Sequence, residues 1–215
     1  MVSGPVRSVL LRLGRLSVDS TLAASGLSEP GLAEDARDVY DRLAHRVPWP
    51  DQLANRFHLV FNVLPVAALY TALRERGWTE REAVDVVQAA SAASSGLERR
   101  VWSQWLGTGP GRRLFMRVVG PNLLGMFPQP RWPGTWVECS KSRVAFNMTR
   151  CYALDTFRDL DAAPAARVMC ASEQHLADAS PLVRFSREGT LAAGADHCDF
   201  CYELLESHDR ARASA

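Results

Sequence analysis

The 215-residue chain has no surplus of charge of either sign, because its 25 basic residues are balanced by 24 acidic ones. Lys141 is the only lysine, so nearly all of the basic residues are arginine. A protein that neutralises many phosphates needs an excess of Lys and Arg on its surface. The balance excludes a strongly basic surface as a global property and leaves a local basic patch open. We therefore expect no nucleic-acid partner.

The sequence also lacks an apolar run of the about 20 residues that a membrane-spanning helix needs. The best candidate, Phe57 to Leu73, contains Asn62 and Pro65 and predicts a buried helix instead. Near the N-terminus, arginines interrupt the apolar residues around Leu10, so that segment is not typical of a secretory signal. We expect a cytoplasmic protein that does not associate with membranes.

Cysteine is scarce and odd in number, since the chain has five, and a cytoplasmic protein keeps such residues as reduced thiols. Cys198 and Cys201 form a C-x-x-C pair, but side chains three apart on a strand point to opposite faces. The sequence offers no second pair at ligand spacing for zinc, and its glycines form no phosphate-binding loop. We expect no metal, nucleotide or organic cofactor.

The composition changes along the chain, and these changes predict five segments. They are a weakly structured lead (1–31), a helical part (32–119), a connection rich in proline and glycine (120–134), a small antiparallel sheet with two helices (135–205) and a tail (206–215). We expect the helical part and the sheet to form one compact domain. The predicted fold class is α+β, a helical N-terminal half followed by a small antiparallel sheet with helices packed on one face.

Three helices can be located within the helical part. Apolar residues recur at intervals of three or four from Leu32 to Val47, which predicts one helical face. A second helix is predicted over residues 51–75, with a kink near Pro65 because proline removes a backbone donor. Thr79 and Glu82 form a T-x-x-E capping box, which predicts the start of a third helix.

In the C-terminal half the period of the sequence changes from helical spacing to alternation. Val144, Phe146 and Met148 alternate with smaller or more polar residues, which is typical of a half-buried strand. The other predicted elements are helices over 152–160 and 165–179 and strands over 182–187 and 195–204.

An acidic residue on an apolar helical stripe is the first candidate for chemistry. Glu173 falls between Met169 and Leu176 on the stripe of the helix predicted over 165–179, with Cys170 nearly on the same face. Burial disfavours the ionised form of a carboxyl and raises its pKa, which is one way in which a general acid or base is made. The alternative is that Glu173 pairs with a buried arginine or a backbone amide.

The second candidate is Cys198, in the segment from Gly194 to Cys201. If its strand packs the Phe200 face against the helix that carries Glu173, a thiol and a carboxyl meet, as at an activated nucleophile. His197 is an alternative base near the end of the strand. The competing interpretation is that Cys198 is a small core residue, because free cysteine is among the most buried residue types.

Several groups of residues follow one another in the C-terminal half. They are Phe146-Asn-Met-Thr-Arg-Cys151, then Met169-Cys170-Ala-Ser-Glu173, then Val183-Arg-Phe-Ser-Arg-Glu-Gly-Thr190-Leu with Gly194-Ala-Asp-His-Cys198-Asp199-Phe200. This ordered set resembles the L-2-amino-thiazoline-4-carboxylic acid hydrolase family, over about residues 35 to 203. Two positions depart from the family pattern. Glu173 stands where members tend to have Asp, and Cys201 stands where Arg is common, so a carboxylate-binding cation is lost there.

The resemblance implies a hydrolase that opens a cyclic isothiourea by adding water at the carbon between the ring nitrogen and sulfur. This gives a carbamoyl-cysteine and demands no cofactor. The reaction needs a nucleophile or activated water, an acid for the leaving heteroatom and a cation for the substrate carboxylate. We assign Cys198 as nucleophile or site-shaping thiol and Glu173 as acid/base. The other expected site residues are His197 and Asp199 as proton carriers, Arg184 or Arg187 as the cation, and Asn147, Thr149 and Cys170 as substrate contacts.

Two other functions remain open from the sequence. One is a tailoring enzyme of natural-product biosynthesis on the same scaffold, because a family resemblance does not fix the substrate. The lead favours it, and so do four tryptophans that we expect to line a roomier apolar pocket: Trp102, Trp105, Trp132 and Trp136. The other is a non-catalytic protein that binds a small molecule, supported if Glu173 is exposed and Cys198 is sealed in the core. In each case we expect a small-molecule ligand, and assembly into a homo-oligomer is a further expectation.

Overall fold

A computed structural model describes residues 4–94, 96–171 and 183–205 of the chain. Its α-helices include α1 (Gly4–Ser25), α2 (Leu32–Arg46), α3 (Leu53–Phe57), α4 (Leu64–Glu75), α5 (Glu80–Ser94), α6 (Gly96–Leu106), α7 (Gly109–Leu114), α8 (Gly120–Asn122) and α9 (Tyr152–Asp159), and residues 166–171 are also helical. Its strands are β1 (Gly134–Cys139), β2 (Arg143–Met148), β3 (Val183–Ser186) and β4 (Cys198–Leu204). The described residues therefore have the predicted α+β fold, with the helices first and an antiparallel sheet in the C-terminal half.

The first correction concerns residues 1–31, predicted as a weakly structured lead. They contain α1, a helix of 22 residues. Val18 and Leu22 on its inner face are buried. A Cβ at Gly14 would meet the Tyr40 hydroxyl of α2 and the Val60 carbonyl. The missing side chain therefore lets α1 approach its neighbours closely, an effect that hydrophobic periodicity does not register.

The apolar stretch around Pro65 forms a continuous helical run with a π-helical segment, His58–Val63, between α3 and α4. The Leu64 N–H donates to the Leu59 carbonyl, five residues back. This widened turn comes directly before Pro65, which has no N–H to donate. A π segment therefore precedes the proline at which a kink was predicted, and the kink itself stays a prediction. The run from Leu53 to Glu75 is long and apolar enough to cross a membrane, but two thirds of its most apolar window is buried, as in a core helix.

The capping box at Thr79 is confirmed. The Thr79 N–H and hydroxyl donate to Glu82 Oε2 at 2.8 and 2.6 Å, and the Glu82 N–H donates back to Thr79 Oγ1 at 3.3 Å. These hydrogen bonds lower the pKa of Glu82, because a carboxylate that accepts hydrogen bonds is favoured in its ionised form. The helix α5 begins at Glu80, as the pattern predicts.

The chain divides into two compact units whose boundaries differ from the predicted segments. Unit 1 comprises residues 1–95 and 152–171, and unit 2 comprises residues 96–151 and 172–215. In unit 1, α1, α2, α4 and α5 pack on one another, and α9 packs on the π segment. The helix α9 was predicted to lie against the sheet. Its buried residues Leu154 and Phe157 belong instead to the helical unit.

Unit 2 contains the sheet, with strand order β1-β2-β4-β3 and antiparallel pairing throughout. One face is apolar and aromatic, and we call it the aromatic face. It carries Trp136, Val144, Phe146, Met148, Val183, Phe185, Cys198, Phe200 and Tyr202. Helical residues of the same unit cover part of this face, where Leu106, Phe115 and Met116 pack with Val144 and Val183.

The segment predicted as a connection, 120–134, is more ordered than its proline and glycine content indicates. It begins with α8 and a 3-10 turn, Leu123–Met126. Trp132 is buried and packs against Phe127, whose ring centroid lies 6.4 Å from that of Phe200. The segment therefore contributes aromatic side chains to the sheet.

Candidate active site

The loop from β3 to β4, residues 187–197, lies directly before the predicted site residues Cys198 and Asp199. Asp199 anchors it, because Oδ2 accepts the Glu188 N–H at 2.9 Å and Oδ1 accepts the Gly189 N–H at 2.7 Å. Desolvation on its own would raise the pKa of Asp199. The backbone N–H groups of Glu188, Gly189 and Asp199 itself, with His197 nearby, outweigh that effect and lower the pKa.

The middle of this loop is a short 3-10 turn, Leu191–Ala193, held at both ends. Thr190 Oγ1 accepts the Ala193 N–H at 3.1 Å, and Gly194 follows with a left-handed φ of 92°. A Cβ at Gly189 would come within 2.8 Å of the Ala195 Cβ, so the two sides of the loop touch at Gly189. The β3–β4 loop is therefore packed closely against itself and is joined to β4 by the hydrogen bonds to Asp199.

Cys198 lies where this loop enters β4. Its side chain is on the aromatic face, and the residue is 6% exposed. The Leu191 N–H donates to Cys198 Sγ at 3.2 Å. The thiol is thus buried, and a backbone donor of the 3-10 turn points at it.

Arg187 lies on the same side of the sheet as Cys198. Its guanidinium carbon is 5.5 Å from the ring centroid of Phe185 and 5.4 Å from that of Phe200. Stacking on aromatic faces holds a guanidinium in place. Of the two arginines predicted as candidates, Arg187 is the one on the aromatic face.

Arg184 lies on the opposite, polar face, where its guanidinium pairs with Glu203 at 2.7 Å. Cys201 is also on that face, and the Arg143 Nε donates to its Sγ at 3.2 Å. The two thiols of the C-x-x-C pair therefore point to opposite sides of the sheet, as strand geometry predicts. Among the described residues, no group of three or more His, Cys, Asp and Glu side chains is arranged to hold a metal ion.

The remaining predicted contacts are on the polar face or at the strand end. Asn147 is half-buried and directly opposite Asp199 in the β2–β4 register. His197 is close enough to lower the pKa of Asp199 by its charge. Thr149 Oγ1 donates to the Pro133 carbonyl at 3.4 Å, just beyond β2. The sheet thus separates Asn147 and Asp199 from Cys198 and Arg187.

Glu173 lies outside the described residues. Cys170 is half-buried in the helical residues 166–171 of unit 1. The meeting of the Glu173 helix with the Cys198 strand therefore stays a prediction.

Sequence reasoning missed the two phenyl rings that support Arg187. Phe185 precedes Arg187 by two residues, and Phe200 follows Cys198 by two residues. The centroids of the two phenyl rings are 6.2 Å apart. The alternation of Phe185 with Arg184 and Ser186 is the signal that could have indicated which arginine shares a face with Cys198. Two of the tryptophans that were expected to line a pocket have other surroundings. Trp132 is buried, and Trp105 packs against the core of unit 2.

Comparison with known protein families identifies a match. The family model described as L-2-amino-thiazoline-4-carboxylic acid hydrolase matches residues 55–202, more than half of the chain. The matched range includes the β3–β4 loop and all of the predicted site residues. No curated protein and no solved structure matches the chain.

Proposed function

Because the chain belongs to the L-2-amino-thiazoline-4-carboxylic acid hydrolase family, we propose that it opens a small cyclic substrate of the 2-amino-thiazoline-4-carboxylate type by adding water. An oxygen–carbon bond forms at the ring carbon between nitrogen and sulfur, and the bond from that carbon to sulfur breaks. The sulfur leaves as a thiol after taking a proton, and the product is a carbamoyl-cysteine. No redox change occurs, so the reaction asks for no redox cofactor.

One observation supports this proposal most directly: Arg187 and Cys198 share the aromatic face of the sheet. The substrate carries a carboxylate and a polarised carbon about one ring apart. A guanidinium stacked on Phe185 and Phe200 binds the carboxylate, and the apolar surroundings strengthen that ion pair. Cys198 then acts as nucleophile or shapes the site beside the reacting carbon.

Proton transfer is assigned to Glu173 in this proposal, as acid for the leaving sulfur and base for the attacking water. His197 is the second-line proton carrier. The hydrogen bonds that Asp199 accepts from Glu188 and Gly189 favour its ionised form. We therefore give Asp199 a positioning role, since it fixes the loop that carries Arg187 and leads into Cys198.

A second function has a specific observation in its favour. Cys198 is only 6% exposed, which is the burial expected if it is a core residue and the protein binds a small molecule without turnover. A tailoring enzyme with a larger substrate is favoured by Trp136, which is 40% exposed and packs edge-on against Phe146. Both alternatives keep Arg187 as the cation for an acidic ligand.

The experiment that tests the proposal is incubation of the purified protein with L-2-amino-thiazoline-4-carboxylate, followed by mass spectrometry for the gain of one water. Glu173→Gln keeps the size of the side chain and removes its titratable proton, so we expect turnover to fall about 100-fold or more with folding intact. Cys198→Ser is the second variant, and Cys201→Ser is its matched control on the same strand and the opposite face.

Turnover lost in Cys198→Ser and kept in Cys201→Ser supports the role of the buried thiol. If the folded wild-type protein binds the substrate without a mass change, the binding-protein alternative is correct. If it neither binds nor converts that substrate, the proposed substrate is wrong, and larger thiazolines test the tailoring alternative.

The two arginines give a further test. Arg187→Lys removes the planar group stacked on Phe185 and Phe200, so we expect the KM for an acidic substrate to rise about tenfold or more. Arg184→Lys changes an arginine paired with Glu203 on the other face and should raise KM less. Steady-state kinetics of both variants shows which arginine binds the substrate carboxylate. An equal or larger rise in KM for Arg184→Lys contradicts the assignment of that role to Arg187.

A further inference from the structure

The helix α1 presents a continuous apolar stripe to solvent. Val6, Val9, Leu13 and Leu16 are 47%, 55%, 46% and 59% exposed. They are spaced three, four and three residues apart, which is the a/d spacing of a coiled-coil seam. The exposed residues Ser20 and Ala23 continue the same spacing for one more heptad. We call these six residues the α1 seam.

The seam is not the face that holds α1 on its own unit. Gly14, Val18 and Leu22 face inward and are buried, and α1 packs through them on α2, α4 and α5. A solvent-facing helical surface is normally polar. The seam is therefore a second apolar face on a helix whose first face is already occupied.

The charges beside the seam are of both signs. Arg7 and Arg15 are turned toward unit 1, because Arg7 stacks on Trp49 and Arg15 pairs with Asp38 and Asp41. Arg12 is exposed along one edge of the seam, with Asp19 one heptad further along the same edge. A helix that lies on an anionic membrane is flanked by several cations. An edge with one arginine and one aspartate matches a second copy of itself better.

We propose that α1 forms an antiparallel pair with the α1 of a second copy of this chain through the α1 seam. With Leu13 opposite Leu16 of the partner subunit, Val9 faces Ser20 of the partner subunit and Val6 faces Ala23 of the partner subunit. In the same register Arg12 lies beside Asp19 of the partner subunit, and the two-fold axis repeats that ion pair. Arg37 of the same chain bonds Asp19 Oδ1, which leaves Oδ2 to accept from the partner's Arg12.

The small size of the seam predicts a dimer that dissociates on dilution. A stable interface buries about 800 Å² on each partner, and four half-exposed Val and Leu side chains provide less than that. The proposal is independent of the proposed function, since α1 lies outside the residues 55–202 that match the family.

Sedimentation velocity over a concentration series tests the proposal on the full chain. The wild-type protein should shift from monomer toward dimer as concentration rises. Leu13→Glu with Leu16→Glu should remain monomeric throughout, and circular dichroism should show its helix content unchanged because both residues are exposed. Leu53→Glu, at an apolar residue of unit 1 that is 60% exposed, is the matched control and should still dimerise.

The orientation is tested by cross-linking. A mixture of Leu13→Cys and Leu16→Cys proteins should form a disulfide-linked dimer under oxidation, well above the background of the native cysteines in the wild-type protein. Each variant alone should stay at that background. Efficient cross-linking of Leu13→Cys to itself overturns the antiparallel register.

Two other outcomes overturn the proposal altogether. One is a wild-type protein that is monomeric over the whole series. The other is a dimer that survives Leu13→Glu with Leu16→Glu. If the monomer instead co-sediments with phosphatidylserine vesicles and the double variant does not, a membrane surface covers the seam and the dimer is wrong.

Discussion

At the scale of single residues, Asp199 shows how a predicted proton carrier is used as an anchor. Its two carboxylate oxygens accept the N–H groups of Glu188 and Gly189. Because these bonds lower the pKa of Asp199, the group stays ionised until the solution is more acidic than for an ordinary aspartate. The sequence predicts Asp199 as a proton carrier, and that role stays a prediction. The hydrogen bonds to Glu188 and Gly189 depend on a loop that no local pattern describes.

Asp199→Asn is expected to destabilise the protein. One acceptor oxygen becomes an NH₂ group that faces a backbone donor, and losing one or two hydrogen bonds costs roughly 1–2 kcal/mol. Since the pKa of Asp199 is lowered in the folded state, its contribution is fully present above the unfolded-state pKa and is lost as pH falls through the folded-state pKa. Urea unfolding across acidic pH measures this. The wild-type protein should lose more stability than the variant as pH falls.

Asp196→Asn, at an exposed residue of the same loop, is the control and should keep the wild-type pH dependence. Equal unfolding free energies for Asp199→Asn and the wild-type protein at neutral pH would contradict the anchoring role.

Gly14 is a second residue whose importance is visible only in the fold. We expect Gly14→Ala to destabilise unit 1 by about 1–3 kcal/mol, because the added methyl overlaps Tyr40 and Val60. Thermal unfolding followed by circular dichroism measures the loss. Gly125→Ala is the control, since a Cβ there meets nothing within 4 Å. A variant as stable as the wild-type protein would mean that α1 can shift without cost.

At the scale of elements, helices with complete local signals were predicted well. The capping box locates the start of α5, and the proline locates the irregular turn between α3 and α4. The strand β2 follows its alternation, whereas β1 was missed as a separate strand. Most of β1 is exposed and its register shifts between Trp136 and Glu138, so no period of two survives in its sequence.

The helix α5 gives a prediction at this scale. Thr79→Ala removes the hydroxyl that exchanges hydrogen bonds with Glu82, and losing an N-cap of this kind costs about 1 kcal/mol. Hydrogen exchange should show faster opening of the first turn of α5, while Thr135→Ala in β1 leaves that turn unchanged. In the variant the pKa of Glu82 should rise toward its ordinary value. The variant should therefore lose less of its unfolding free energy than the wild-type protein as the pH falls through the range in which Glu82 takes up a proton. An unaltered exchange rate in that turn would show that tertiary packing alone fixes it.

At the scale of the whole molecule, the sequence predicted the fold class and placed the change from helix to sheet near residue 134. It did not predict that the chain leaves unit 1 at residue 95 and returns to it for residues 152–171. Such pairings join residues far apart along the chain, and local periodicity carries no signal for them. The same holds for Glu173 and Cys198, whose predicted meeting depends on long-range packing.

Phe157 tests the discontinuous unit. It is fully buried in α9, and Phe157→Ala should cost about 3–5 kcal/mol. Hydrogen exchange should rise in the π segment, His58–Val63, on which α9 packs, although about 95 residues of sequence separate them. Phe61→Ala, at a residue that is only half-buried, should cost less. Faster exchange confined to α9 would contradict the grouping.

The discontinuity of unit 1 also has a consequence for the order of events during synthesis. The first 95 residues leave the ribosome long before residues 152–171, and the sheet residues 134–148 emerge in between. The packing of the helical unit therefore cannot be completed when its first helices form. The apolar surfaces that α9 covers in the folded protein stay exposed to solvent until α9 has been synthesised. Nascent chains halted shortly before residue 152 should accordingly be bound by chaperones that recognise apolar surface, and release should follow once α9 has emerged.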